Sequence, residues 1–265
     1  ILDFLEGKFK LNNLRILKQF NGCCFADLDL KQQGVIEDFQ LLFYIIQPPT
    51  PERVKYDIFD RVNRGGTPLN KQEMRNALYR GRCTRMLDKL CCSREFLIAT
   101  GRSINKERMK DQYVVLRAMA FLMLHRGEFK DIPALQYRGD IDDFLARFMV
   151  YVNDNAPEKL IVDYENLFIR CMQISYDLLG ENGFRFSGNG IRRPINMPLF
   201  EALSYLFSFV PEKIDYTWAS RLILDIESVK EEFDDSRYFS GNIDSTTSVS
   251  FRFDRMDKII NRIQL

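Results

Sequence analysis

The stretch ERMKDQYVVLRAMAFLML, residues 107–124, contains no glycine or proline and is apolar along most of its length. It reads as a long helix, since strands usually end within about 10 residues. A helix apolar on nearly every side has to be buried by other elements. Candidate partners follow with the same period. Residues 51–63 place Val54, Ile58 and Val62 on one face, and 71–80 place Met74, Ala77 and Leu78 on another. Helical spacing also runs over 141–152, 158–179, 197–209, 212–231 and 249–263. The predicted class is mainly α, a helical bundle-like chain.

The exception is FQLLFYII, residues 39–46, a continuous apolar run that stops at Pro48-Pro49 and predicts a buried strand. The opening ILDFLEGKFKL reads as the last turns of a helix followed by a short extended segment. With no cap ahead of Ile1, the chain is expected to open inside a fold. Polar, Gly-rich interruptions fall at 125–140, 180–198 and 233–248. The first is expected to separate an amino-terminal domain, 1–130, from a helical domain, 131–265.

At 265 residues, 46% hydrophobic and 28% charged, the composition is that of a globular chain. No apolar run reaches the roughly 20 residues of a membrane span, and no basic-then-apolar leader opens the sequence. A soluble, cytoplasmic protein without a membrane partner is predicted. Cysteines 23, 24, 83, 91, 92 and 171 form no Cys-x-x-Cys pair, which suits reduced thiols in a reducing compartment. His125 is the only histidine, so two-histidine zinc sites and His-metal nuclease motifs are excluded and no zinc is expected. At the end of an apolar helix His125 reads as a polar boundary residue. No Ser or Cys nucleophile pattern makes it a general base.

The net charge of +1 conceals segregation. Residues 61–85 set Arg61, Arg64, Lys71, Arg75, Arg80, Arg82 and Arg85 against the single acid Glu73, a balance of +6. Residues 225–235 set six acids against Lys230, a balance of −5. Clustered arginines suit phosphate or another polyanion, and they equally suit a solvated helix face.

Within the basic segment lies FDRVNRGGTPLNKQEMRNAL, residues 59–78. Asn70 and Glu73 form a capping box, Leu69 packs on Met74 as a staple, and Gly65-Gly66 end the preceding helix. Those local roles leave Arg61, Asn63, Arg64, Arg75 and Arg80 crowded at one junction. Amides freed at a glycine turn and at a helix start attract anions. Arginines fork onto phosphate oxygens, and the side-chain oxygen of Asp60 or Asn63 suits a magnesium ion on a triphosphate. In the last helix Val249, Met256, Ile260 and Ile263 share one face, while Arg252, Arg255 and Arg262 gather on another. That basic stripe, interrupted by Asp254 and Asp257, is either a solvated face or a contact for a nucleic-acid backbone.

The run YDIFDRVNRGGTPLNKQEMRNALYRG, residues 56–81, resembles the domain-of-unknown-function family found in the S half of GmrSD-type modification-dependent restriction enzymes. The signature Phe-x-Arg-x-Asn-x-Gly-Gly-x-x-Leu-Asn-x-x-Glu-x-Arg-Asn is met by Phe59, Arg61, Asn63, Gly65, Gly66, Leu69, Asn70, Glu73, Arg75 and Asn76. LDFLEGKFKL, FNGCCFADL and MKDQYVVLRAMAFLML extend the likeness over most of the first 125 residues, and STTSVSFRF extends it more loosely at the other end.

The family is similar to ParB-like proteins. The resemblance implies a small β remnant of a ParB-like α+β domain at the amino end and a site for magnesium and a nucleoside triphosphate. That site would be built from Asp60, Arg61, Asn63, Gly65, Gly66, Asn70, Arg75 and Asn76, with Asn63 on the metal. It also implies a role in bacterial DNA restriction or phage defence and an HNH nuclease as partner. Separately, a chain that opens inside a fold could be an oligomeric assembly subunit whose amino-terminal edge another chain completes. Arg64, Arg80, Arg82, Arg85, Arg252 and Arg255 are then candidates for DNA or phosphate contact. The family's Asp-Gly-Gln-Gln-Arg signature is absent from the chain. The resemblance therefore implies a nucleotidase- or nuclease-associated subunit without autonomous catalysis. The alternative is a non-catalytic DNA- or protein-binding helical module.

Overall fold

The computed structural model describes residues 1–43, 45, 47, 54, 58, 59, 61, 68–186, 192–211, 215–239 and 241–263. The chain divides into two compact units, 1–55 and 56–265. Among the described residues both units are helical and no strand is formed.

The first unit has short elements: α1 (Leu2–Leu5) and α2 (Leu30–Glu37). Asp29 caps α2 by accepting from the Gln32 amide at 2.8 Å, and Gln32 Oε1 accepts from the Asp29 amide in return. Phe4 and Leu28 are buried, with the Phe9 and Phe25 rings 5.5 and 5.9 Å from Phe4. The strand expected over 39–46 is not found. Its described residues Phe39, Leu41, Leu42, Phe43 and Ile45 are non-helical, unpaired and exposed, Ile45 by 81%. Among the described residues this apolar run has no second strand to share its backbone hydrogen bonds.

The second unit holds α3 (Lys71–Leu78), α4 (Arg82–Cys91), α5 (Arg94–Ala99), α6 (Lys110–His125), α7 (Ile141–Asp154), α8 (Glu158–Leu179), α9 (Met197–Phe207), α10 (Tyr216–Asp234) and α11 (Thr246–Ile263). The helical face expected over 51–63 lies mostly outside the described residues, and its Val54 and Ile58 are exposed. Two helices are buried on all sides: α6 from Val114 to Met123, and α9 from Pro198 to Phe207. They pack on each other. Around them lie amphipathic helices, α4 on α6, α8 and α11 on α9, and α10 on α11. A helix with no polar face needs this central position.

Starts and stops are written locally. Asp140 caps α7 by accepting from the amides of Asp142 and Asp143, Asn196 caps α9 through the Leu199 amide, and Asp215 caps α10 through the Trp218 amide. Between α3 and α4, Asn153 of α7 donates to the Tyr79 carbonyl and accepts from the Cys83 amide, both at 2.9 Å. Gly81 permits this, because a Cβ there would sit 2.6 Å from Asn153 Oδ1.

The interruption at 125–140 does not divide the core, since Phe129 and Leu135 are buried in the same cluster that runs from Tyr79 to Ile260. All six cysteines are free thiols. Burial raises the pKa of Cys83 and Cys91, and pushes the Cys171 thiol up to about 12. No described helix is long and apolar enough to cross a membrane.

Candidate functional site

The junction at 59–76 is described on its carboxy-terminal side. Asp60, Asn63, Arg64, Gly65 and Gly66 lie outside the described residues, and Arg61 is exposed in a helical turn. From Asn70 onward the local reading holds. Asn70 Oδ1 accepts from the amides of Gln72 and Glu73 at 2.8 and 2.9 Å, and the Asn70 amide donates to Glu73 Oε2 at 2.6 Å.

The same two residues also reach a distant loop. Asn70 Nδ2 donates to the Arg108 carbonyl at 2.7 Å. Arg108 Nη2 in turn donates to Glu73 Oε2 at 2.9 Å and to the Pro68 carbonyl at 2.6 Å. The Arg108 guanidinium, then the Asn70 amide, hold the Glu73 carboxyl below its usual pKa. Arg108 and Met109 both adopt left-handed backbone, so this clasp sits on an uncommon conformation just ahead of α6.

Arg75 and Asn76 face inward. The Arg75 side chain is fully buried, Nη1 donates to Asp142 Oδ1 at 2.7 Å, and Nε and Nη2 donate to Gln72 Oε1. Lys71 pairs with the same Asp142, and the two cations lower the Asp142 pKa against the burial that raises it. Asn76 accepts from Gln72 and donates to Gln112, which donates on to Asp88 at 2.7 Å. These contacts fasten α3 to α7, α6 and α4.

The Arg75 ion pair begins a longer buried chain of charge. Arg75 and Arg117 lie 5.3 and 5.5 Å from the Tyr113 ring centroid. Arg117 pairs with Glu201 and, at 2.6 Å, with Asp244, and it donates to the Tyr113 hydroxyl at 3.1 Å. Glu201 also binds Arg252 at 3.1 Å. Burial opposes the Arg117 charge, but Glu201 and Asp244 outweigh it and raise its pKa. Arg75, Arg117, Glu201 and Arg252 are all fully buried. One carboxylate thus sits between two buried guanidiniums in the middle of the unit.

The remaining candidate cations fall into two groups. Arg252, expected on an open basic face, lies inside the core and also donates to the Ile243 carbonyl. Arg255 pairs with Glu232, and Arg262 with Asp225 at 2.9 Å. Glu232 and Asp225 of the acidic segment 225–235 are therefore counter-charges of the terminal helix. Arg82 donates to the Ala156 carbonyl at 3.0 Å and to Glu158 at 2.8 Å. By contrast, Arg80 and Arg85 are exposed and make no ion pair among the described residues.

His125 stacks on Phe253 with ring centroids 3.6 Å apart. Burial and the nearby Arg252 push its pKa down to about 4, so it is a neutral packing group near pH 7. Its Nε2 has no hydrogen-bond partner among the described residues.

The partners Arg108, Gln112, Asp142, Glu201 and Asp244 were not legible in the sequence, because they lie tens of residues from the groups they bind. Among the described residues no set of three or more His, Cys, Asp or Glu side chains converges as metal ligands. No protein-family model, curated protein or solved structure matches the chain.

Proposed function

We propose that the chain is part of a GmrS-like nucleotide-binding protein of bacterial DNA restriction or phage defence, with a ParB-like α+β character at its amino end. The observation that carries this reading is the ten-residue match from Phe59 to Asn76. The motif divides by role. Asn70, Glu73, Arg75 and Asn76 hold α3 against α4, α6 and α7, so their side chains are already engaged. In this reading ligand contact falls to Arg61 and Asn63, with the amides of Gly65 and Gly66, and Asn63 would be the residue to hold the magnesium ion of the triphosphate. The helical unit is then the rigid body through which nucleotide state reaches a DNA-cutting partner, which this chain, with one histidine, does not supply as an HNH domain.

The test is a thermal-melt series with magnesium and each nucleoside triphosphate. Near 100 times the dissociation constant, a bound nucleotide stabilises by about 2.7 kcal/mol, a rise of several degrees. The reading expects that rise in the wild type and its loss in Arg61→Ala and Asn63→Ala. A rise that survives both substitutions sinks it.

A second reading, a non-catalytic DNA- or protein-binding module, draws on the exposure of Arg80 and Arg85 and of the apolar run at 39–45. If Arg80 and Arg85 alone touch DNA phosphates, log affinity falls with log salt at a slope of about −2. A slope nearer −6 would require the arginines that are paired internally to open.

A further inference from the structure

Between the amino end of α6 and the segment leading into α9 lies a cavity of about 370 Å³. None of its lining residues belongs to the 59–76 junction. Val114 and Met197 line an apolar side, while Lys110, Arg185, Arg192 and Arg193 supply four cations. No carboxylate lines it among the described residues.

Two of those cations are neutralised. Arg192 pairs with Glu181 at 2.8 Å, and Arg193 pairs with Asp234. The Arg192–Glu181 pair lies over Gly101, whose φ is 58° and whose missing Cβ would fall against the Arg192 guanidinium and 2.6 Å from Glu181 Oε2. The other two make no ion pair among the described residues, although the Glu181 carboxylate, itself held by Arg192, partly offsets the Arg185 charge. Arg185 is 4% exposed, and its guanidinium donates only to neutral oxygens: the Glu181, Arg193 and Thr100 carbonyls and the Ser103 hydroxyl. That places four of its five N–H donors. Lys110 is exposed and forms no ion pair among the described residues.

A guanidinium taken out of water without a carboxylate bonded to it is costly to keep charged, and burial, then the Arg192 charge, lower the Arg185 pKa against the Glu181 carboxylate that raises it. An anion in the cavity would supply what the protein omits. The end of α6 adds to the field, because its N-cap Met109 offers no side-chain cap and the helix dipole is positive there. The volume falls within the range of pockets that hold small organic ligands. The mixed wall suits a molecule with one charged and one apolar end.

We propose that this cavity binds a small phosphate monoester, its phosphate between Lys110 and Arg185 and its organic portion against Val114 and Met197. The experiment is calorimetric titration of the Asn63→Ala protein, without magnesium, with inorganic phosphate and with adenosine 5′-monophosphate. Using Asn63→Ala keeps the junction site out of the result, so this proposal and the nucleotide reading fail separately. Saturable binding of the monophosphate is expected, tighter than inorganic phosphate. In Lys110→Gln, which removes no ion pair and leaves the melting temperature unchanged, binding should weaken at least about tenfold, the equivalent of one lost charged contact. Arg192→Gln, which frees Glu181 beside the cavity, should weaken it further.

Absence of saturable binding at millimolar monophosphate overturns the proposal, as does binding that Lys110→Gln leaves intact. A duplex DNA that binds the wild type and loses affinity in Lys110→Gln, while the monophosphate does not bind, would assign the cations to a nucleic-acid backbone instead.

Discussion

The units 1–55 and 56–265 use similar apolar residues to different ends. In the second, Leu116, Phe121, Phe200 and Leu206 are fully buried on helices of three turns or more. In the first, Leu30, Leu42, Phe43 and Ile45 stand exposed beside helices of two turns or fewer. Apolar content therefore does not by itself produce a core. Burial needs elements long enough to place several apolar groups on one face and neighbours to cover that face. The larger unit has both, and it can then afford three fully buried arginines. Among the described residues of the smaller, only Phe4 and Leu28 are buried apolar side chains, with the Phe9 and Phe25 rings beside Phe4.

The strongest way to break this contrast is Glu201→Ala. It leaves Arg117 without one carboxylate and Arg252 without its ion-pair partner among the described residues, both in the core. Removing one partner from a buried ion pair costs about 3–5 kcal/mol. Urea denaturation should show a loss of that size. A loss under about 1 kcal/mol would mean that water reaches the two guanidiniums, and that the centre of the unit is not dry.

A smaller effect comes from His125, whose pKa is lowered from 6.5 to about 4 in the folded state. The unfolded chain takes up the proton first, so this contribution is intact above pH 6.5 and is lost as pH falls toward 4. At about 1.4 kcal/mol per unit, the full loss is about 3 kcal/mol. His125→Asn should flatten the stability profile between pH 6.5 and 4 relative to wild type. An unchanged profile would show that the imidazole is hydrated.

Gly81→Ala should cost about 1–2 kcal/mol, because the new Cβ displaces the Asn153 amide that joins the α3–α4 turn to α7. A wild-type melting curve would show that Asn153 can swing away without penalty. The smallest effect is expected in the first unit. Leu42→Ser and Ile45→Ser should change stability by no more than about 0.5 kcal/mol, as for exposed positions generally. A loss above about 2 kcal/mol in either would mean that the apolar run is covered in solution, and the contrast between the units would narrow.

Much of the helical unit was legible in the sequence. The 3.6-residue spacing of apolar groups marks α7 and α8 to within a few residues, and Asn70 with Glu73 announces the start of α3. Helix α4 was not predicted although Cys83, Met86, Leu87, Leu90 and Cys91 keep helical spacing; its first turn, with Arg82 and Arg85, was read only as part of the basic segment 61–85. The strand at 39–46 was misread for a related reason. A continuous apolar run looks the same whether or not another strand exists to pair with it.

The candidate site was less legible. Arg252 has the spacing of a surface stripe, and its partner Glu201 lies 51 residues away. Arg117 lies 84 residues from the same carboxylate. Local spacing carries the period of a helix and its caps, but not which charges meet when helices pack. For the same reason the engagement of Arg75 by Asp142, 67 residues on, could not be anticipated.

On the proposed function, the 59–76 motif splits into a half that holds α3 in place and a half that would meet a nucleotide. Calorimetric titration of magnesium nucleoside triphosphate into wild type, Asn63→Ala and Asn76→Ala tests it most directly. The prediction is that Asn63→Ala weakens binding by at least about tenfold with an unchanged melting temperature, while Asn76→Ala melts lower yet keeps its affinity within about threefold. The reverse pattern, affinity lost in Asn76→Ala and kept in Asn63→Ala, would contradict it.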